Sequence, residues 1–203
     1  MHALIVTAHP LPGSLTHAVA HRLADGVRDA GHSAEFADLT REGFDPRFTE
    51  ADIARFQRLA PAPADVLAEQ ARIDRADALA LVYPVYWWSM PGLLKGWIDR
   101  VFSQGWAYEE KDGRDERRLG HLPVHMLAIG GAGMRTYARH GYFGAMRTQI
   151  DHGIFEYCGA RVLTSELLVP AGSDDAGRHL DTAFGLGRSL FRTRPQDGVA
   201  DAA

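Results

Sequence analysis

Alternation of short apolar runs with helical stretches leaves this chain few folds to choose from. Five runs of strand length stand at residues 3–8, 33–39, 78–82, 124–129 and 161–169. Helical sequence follows each: 15–30, 64–75, 92–102, 142–157 and 176–191, with a further helix start at Thr49. Ser14 suits the N-cap of the first helix and Gly31 its stop. Ser173, Asp174 and Asp175 read as the cap of the last. Strand–helix units repeated five times give a parallel sheet covered on both faces, joined by right-handed crossovers. Residues 109–120 are dense in charge and read as a solvated loop. The succession runs over residues 1–191 without repeat or linker, so one domain is expected. The polar tail 192–203 is expected to be disordered.

Residues 82–108 are the most distinctive stretch and hold all four tryptophans. Pro84 lacks a ladder donor and is expected to end regular pairing of the third strand. Pro91 suits the first turn of a helix, whose apolar face is Leu94, Trp97, Ile98, Val101 and Phe102. The aromatic loop Tyr86-Trp87-Trp88 therefore lies between the C-terminal end of a buried strand and a helix. In open α/β sheets that edge binds ligands. Three loops should meet there: residues 9–16, 84–89 and 130–137. The first ends at a helix N-terminus, which favours an anion such as a phosphate, with Ser14, Thr16 and His17 adding hydrogen bonds. Neither GxxxxGK[ST] nor GxGxxG is present. Five strands with a ligand loop after the first fit the order 2-1-3-4-5 of a flavodoxin-like three-layer sandwich better than a six-stranded sheet.

Three successive loop aromatics have two readings, an oligomer interface or a wall for a planar heterocycle. In the second, the backbone N–H groups of residues 86–88 would serve as donors, and Gly130-Gly131 would admit a ligand close to the backbone. A net charge of −4 gives no footprint for nucleic acid. No apolar run has membrane-spanning length, and no signal peptide is recognisable, so a cytoplasmic protein is expected. The pairs His17/His21 and His121/His125 have metal-ligand spacing, but no acidic or cysteine partner stands near, and no metal site is expected. The single cysteine, Cys158, reads as a core residue. No GxSxG elbow supports a hydrolase.

On residues 8–18 (AHPLPGSLTHA), 66–70 (VLAEQ), 83–108, the Gly130-Gly131 loop with Tyr137, and 153–163 (GIFEYCGARVL), the chain resembles the flavodoxin-like NAD(P)H:quinone oxidoreductases, the DT-diaphorase family. That family includes bacterial members and ancillary subunits of potassium-efflux transporters. The resemblance implies a flavin, FAD with FMN as the alternative, NAD(P)H as co-substrate, and two-electron ping-pong hydride transfer to a quinone, azo or nitro acceptor. It implies that His9, Ser14, Leu15 and Thr16 hold the phosphate and ribityl chain, and that Gln70 reaches the nucleotide end of FAD. Pro84, Val85, Tyr86, Trp87 and Trp88 would line the ring, with Gly130 and Gly131 at its other edge. Trp106 and Tyr108 would close the substrate pocket across a homodimer. Tyr137 would hydrogen-bond the flavin. Mammalian members carry a histidine six residues after this tyrosine; here that position is Phe143, counted with the substrate pocket, so the proton would come through Tyr142 or His140, or from water. A second role implied is a regulatory subunit of a membrane transporter. A one-electron carrier fits less well, because the aromatic wall would cover the flavin edge that such a carrier exposes.

Overall fold

The computed structural model describes residues 1–111, 113–172 and 175–192. Its main sheet has five parallel strands: β1 (His2–Thr7), β2 (Ser33–Asp38), β3 (Ala78–Pro84), β6 (Pro123–Ile129) and β7 (Arg161–Leu168), in the order β2-β1-β3-β6-β7. This is the expected 2-1-3-4-5 order of a flavodoxin-like sheet. β1 and most of β3 are buried on both sides, as their unbroken apolar sequence requires. Two helices cover one face: α1 (Leu15–Asp29) and α7 (Asp175–Ser189). The other face is covered by α3 (Ala64–Asp74), α4 (Gly92–Val101) and a π-helical segment, Arg147–Glu156.

Side-chain chemistry fixes the ends of these elements. Ser14 caps α1 by accepting from the His17 backbone N–H, and Gly31 leaves the helix with φ +80°. α2 (Glu50–Phe56) starts with a reciprocal Thr49–Asp52 capping box. α1 and α7 touch backbone to backbone at Gly26 and Gly187; a Cβ at either would lie 2.2 or 2.1 Å from a carbonyl oxygen of the other helix. On the opposite face Arg100, 5% exposed, holds Asp52 and Asp65. Trp97 Nε1 donates to Glu69 at 2.8 Å. These bonds lock α2 and α3 to α4, and so fix the turn from which α4 emerges.

Four expectations need correction. Pro84 belongs to β3, paired with Ile129. The Val85 N–H donates to Ile129 O at 2.8 Å, so the proline nitrogen faces the β1 side, where pairing has already stopped at Thr7–Val82; no donor is missed. The charged segment is a hairpin, β4 (Tyr108–Lys111) against β5 (Arg114–Arg117). A short helix, α5 (Met134–His140), occupies part of the expected loop. Residues 142–157 are α6 (Tyr142–Met146) running into the π segment instead of one α-helix. Ser173 and Asp174, expected to cap the last helix, and the tail from residue 193 onward lie outside the described residues. No helix among the described residues is long and apolar enough to cross a membrane.

Candidate functional site

Tyr86 and Ser89 each donate a backbone N–H to the other's carbonyl at 3.0 Å. Trp87 and Trp88 are thus the two central residues of a tight turn, and both are left-handed, with φ of 48° and 59°. Such turns favour Asn-Gly; for other L-residues each left-handed position costs about 1–2 kcal/mol. Strain of this kind gathers at functional sites. Trp87 is 92% exposed. Trp88 stacks on Tyr142 with centroids 3.8 Å apart and planes 13° apart, and meets Tyr137 edge-on at 5.2 Å. Ser89 Oγ donates to Gln149 Oε1 at 2.9 Å, tying the turn to the π segment. Of the expected backbone donors, Tyr86 spends its N–H inside the turn. Those of Trp87 and Trp88 meet no protein acceptor among the described residues.

Beside the turn lies a cleft of about 210 Å³ lined by Val85, Trp87, Trp88, Gly131, Ala132 and Tyr137. Gly130 continues β6, its N–H donating to Leu168 O at 2.8 Å. A Cβ there would stand 2.4 Å from the Tyr137 hydroxyl, so the tyrosine reaches over the sheet edge only because residue 130 has no side chain. Above Gly131 the space is open. Tyr137 is 1% exposed, and its hydroxyl makes no hydrogen bond among the described residues, whereas a buried tyrosine hydroxyl ordinarily has a partner. Burial raises its pKa, so at neutral pH it keeps its proton as a donor. His140 stacks on the outer side of Tyr142 at 5.2 Å, making a Trp88–Tyr142–His140 column that ends in solvent.

The anion end of the site lies at the start of α1. The first-turn N–H groups of Leu15 and Thr16 have no helical acceptor. Thr16 is 2% exposed. His9 Nδ1 accepts from the Leu11 N–H at 3.1 Å, which leaves Nε2–H as its outward donor. His17 bridges Ser14 Oγ (2.8 Å) and Asp38 Oδ2 (3.0 Å). Asp38 escaped the sequence reading; it ends β2, and only the 2-1-3 strand order brings it beside α1.

Not every expected residue joins this site. Gln70 is 4% exposed and spends its amide N–H groups on Val101 O (2.8 Å) and Ser103 Oγ (3.1 Å), so it fastens α3 to the end of α4 and has no free donor for a nucleotide. Phe143 packs against the core and does not line the cleft. Trp106 and Tyr108 stand past the C-terminal end of α4, about 15 Å along the helix from the aromatic turn. There Trp106 Nε1 bonds Asp74 (3.1 Å), and the Tyr108 ring meets Tyr157 (5.4 Å). A group of three or more metal-ligating side chains is absent among the described residues.

Comparison with known proteins agrees with this architecture. A family profile described as having the flavodoxin-like fold matches residues 1–183. An NAD(P)H:quinone oxidoreductase from Methanothermobacter marburgensis superposes with a TM-score of 0.86 at 31% identity, covering 94% of this chain and 98% of that one. A protein of Haemophilus influenzae described as an NAD(P)H oxidoreductase is 30% identical over 82% of this chain and 83% of its own. The rat NAD(P)H dehydrogenase [quinone] 1 is 28% identical over 84% and 69% of the two chains. Strand order, the ligand edge at the ends of β1, β3 and β6, and the profile match point one way: this chain belongs to the family with the flavodoxin-like fold.

Proposed function

We propose that the chain is a flavin-dependent NAD(P)H:quinone oxidoreductase. The observation that carries this reading is the Tyr137 hydroxyl, buried and unpartnered at the floor of a cleft walled by Trp87 and Trp88. A flat ring with polar edges fits there. Gly131 leaves room for it, the Trp87 and Trp88 N–H groups are free, and the α1 N-terminus offers donors for a phosphate. The relatives named above, described as quinone or NAD(P)H oxidoreductases, support the same reading.

When bound, the flavin would supply the hydride chemistry, accepting from NAD(P)H and delivering to a quinone in alternate half-reactions. The chain supplies the setting. Trp87 and Trp88 wall off water from the reacting face. Tyr137 holds a proton donor at the polar edge, where negative charge develops on reduction. Tyr142 and His140, stacked from Trp88 out to solvent, are the side chains available to carry a proton in place of the histidine that Phe143 replaces. Residues 1–191 form the working unit. Trp106 and Tyr108, too far from the cleft of their own subunit, close the cleft of a second copy in a homodimer. Gln70, with its amide N–H groups engaged in the core, lends no support to FAD over FMN.

The test is an absorbance titration of the purified protein with FAD or FMN, then anaerobic NADPH, then a quinone. A bound yellow flavin that bleaches and recovers without a semiquinone phase is expected. A protein that stays colourless with either flavin overturns the proposal.

A further inference from the structure

The hydrogen bonds around His17 set a direction that the fold alone does not require. A carboxylate only accepts, so Asp38 Oδ2, 3.0 Å from Nε2, assigns the proton of the neutral ring to Nε2. Nδ1 is then a bare acceptor, and the Ser14 hydroxyl, 2.8 Å away, must donate to it. Ser14 Oγ also accepts from the His17 backbone N–H at 3.4 Å. In this state Ser14 has no proton to offer an anion at the start of α1, although the helix presents free N–H groups there. Thr16, next to His17, is 2% exposed and its hydroxyl has no protein partner among the described residues, which leaves it available to a ligand at this helix start. One added proton reverses the chain. Nδ1–H donates to Ser14 Oγ, the hydroxyl proton turns outward, and Asp38 balances the imidazolium.

We propose that Asp38, His17 and Ser14 form a proton-coupled phosphate clamp, in which the flavin phosphate docks at the α1 N-terminus together with one proton taken from solvent and held on His17. This rests on the flavin reading above. Imidazole is the side chain suited to such uptake near neutral pH. The groups facing His17 are few. β2 contributes Asp38, whose other oxygen accepts the Arg41 backbone N–H at 3.2 Å. The loop after β1 contributes His9, edge-on at 6.1 Å, with Nδ1 already committed to the Leu11 N–H. His21, one turn along α1, lies against Phe36. The charged groups of α7 stand on the other side, because α7 meets α1 at Gly26, half a turn around the helix from His17.

Calorimetric titration of the apoprotein with FAD, in two phosphate-free buffers of different ionisation enthalpy, counts the protons taken up. FAD's diphosphate does not itself titrate near neutrality. The expected result is uptake approaching one proton per FAD above neutral pH, with affinity falling about tenfold per pH unit. Riboflavin, which has no phosphate, should bind without uptake. His17→Gln should abolish the uptake and the pH dependence for FAD, and should bind riboflavin, like the parent, without proton uptake; His9→Gln should retain the uptake. If His17→Gln does not fold, Asp38→Asn, which keeps the imidazole, must reduce the uptake by half or more. FAD binding without uptake, or uptake that survives His17→Gln, overturns the clamp alone. Failure of every flavin to bind overturns the proposed function and the clamp together.

Discussion

Replacing Trp87 separates backbone strain from side-chain function. The residue is 92% exposed with φ 48°, so its ring contributes little packing while its Cβ pays for a left-handed backbone. Trp87→Gly relieves about 1–2 kcal/mol of that strain. It gives back about 0.4–1 kcal/mol in added freedom of the unfolded chain, and about 0.5 kcal/mol for the small buried part of the ring. The net lies near zero or slightly in favour of the variant. Trp87→Val removes the same ring but puts a β-branched residue at positive φ, the least tolerated choice. The two variants should therefore differ by at least about 1 kcal/mol, or about 2–4 °C in melting temperature for a chain of this size. Thermal melts of the flavin-free proteins read the stability, and steady-state quinone reduction reads the wall. We expect the glycine variant to melt at or above the parent, the valine variant below it, and both to lose quinone turnover. A glycine variant melting several degrees below the parent would refute the reasoning, because the turn would then be held by the indole instead of strained around it.

Gly130→Ala should push the Tyr137 hydroxyl, 2.4 Å from the new Cβ, off the cleft floor; overpacking of about 1–3 kcal/mol and at least a tenfold weaker flavin affinity are expected by fluorescence titration. Arg100→Met leaves Asp52, 4% exposed, without its cation and should cost about 3–5 kcal/mol in urea unfolding, part of which Asp52→Leu in the same chain should restore. Burial pushes His125 down to about 4, with the Leu190 backbone opposing the shift in part. The folded state therefore resists a proton that the unfolded chain accepts below about 6.5. Stability should be flat above that pH and fall by up to about 1.4 kcal/mol per unit between 6.5 and 4, a slope that denaturant midpoints should find missing in His125→Leu.

Strand order was legible because each apolar run is followed by its own helix, and right-handed crossovers leave little freedom once the ligand edge is placed. The hairpin after α4 was not. Glu109 stands opposite Glu116, a pairing that disfavours a strand, until Arg118 bridges both and Arg58 approaches from α2's end. α5 has seven residues between two glycines, too few to show a period. The π segment has ordinary helical composition, so no residue announces its wider turn. Around the cleft, Tyr137 and the tryptophans were legible from their motif. That Gln70 is consumed in the core, and that Asp38 stands behind His17, depends on side-chain directions across strands and helices that no local pattern encodes.

The contact of α1 with α7 through Gly26 and Gly187 has a consequence for the order of folding. All five strands of the main sheet except β1 lie between the two helices in the chain. Val19, Leu23 and Val27 of α1 share one cluster with Ile5 and Val82 of the sheet and Ala183 of α7, so the sheet covers part of this face and α7 completes it. Its closure is therefore a long-range event, and chains that terminate before α7 should be the aggregation-prone ones.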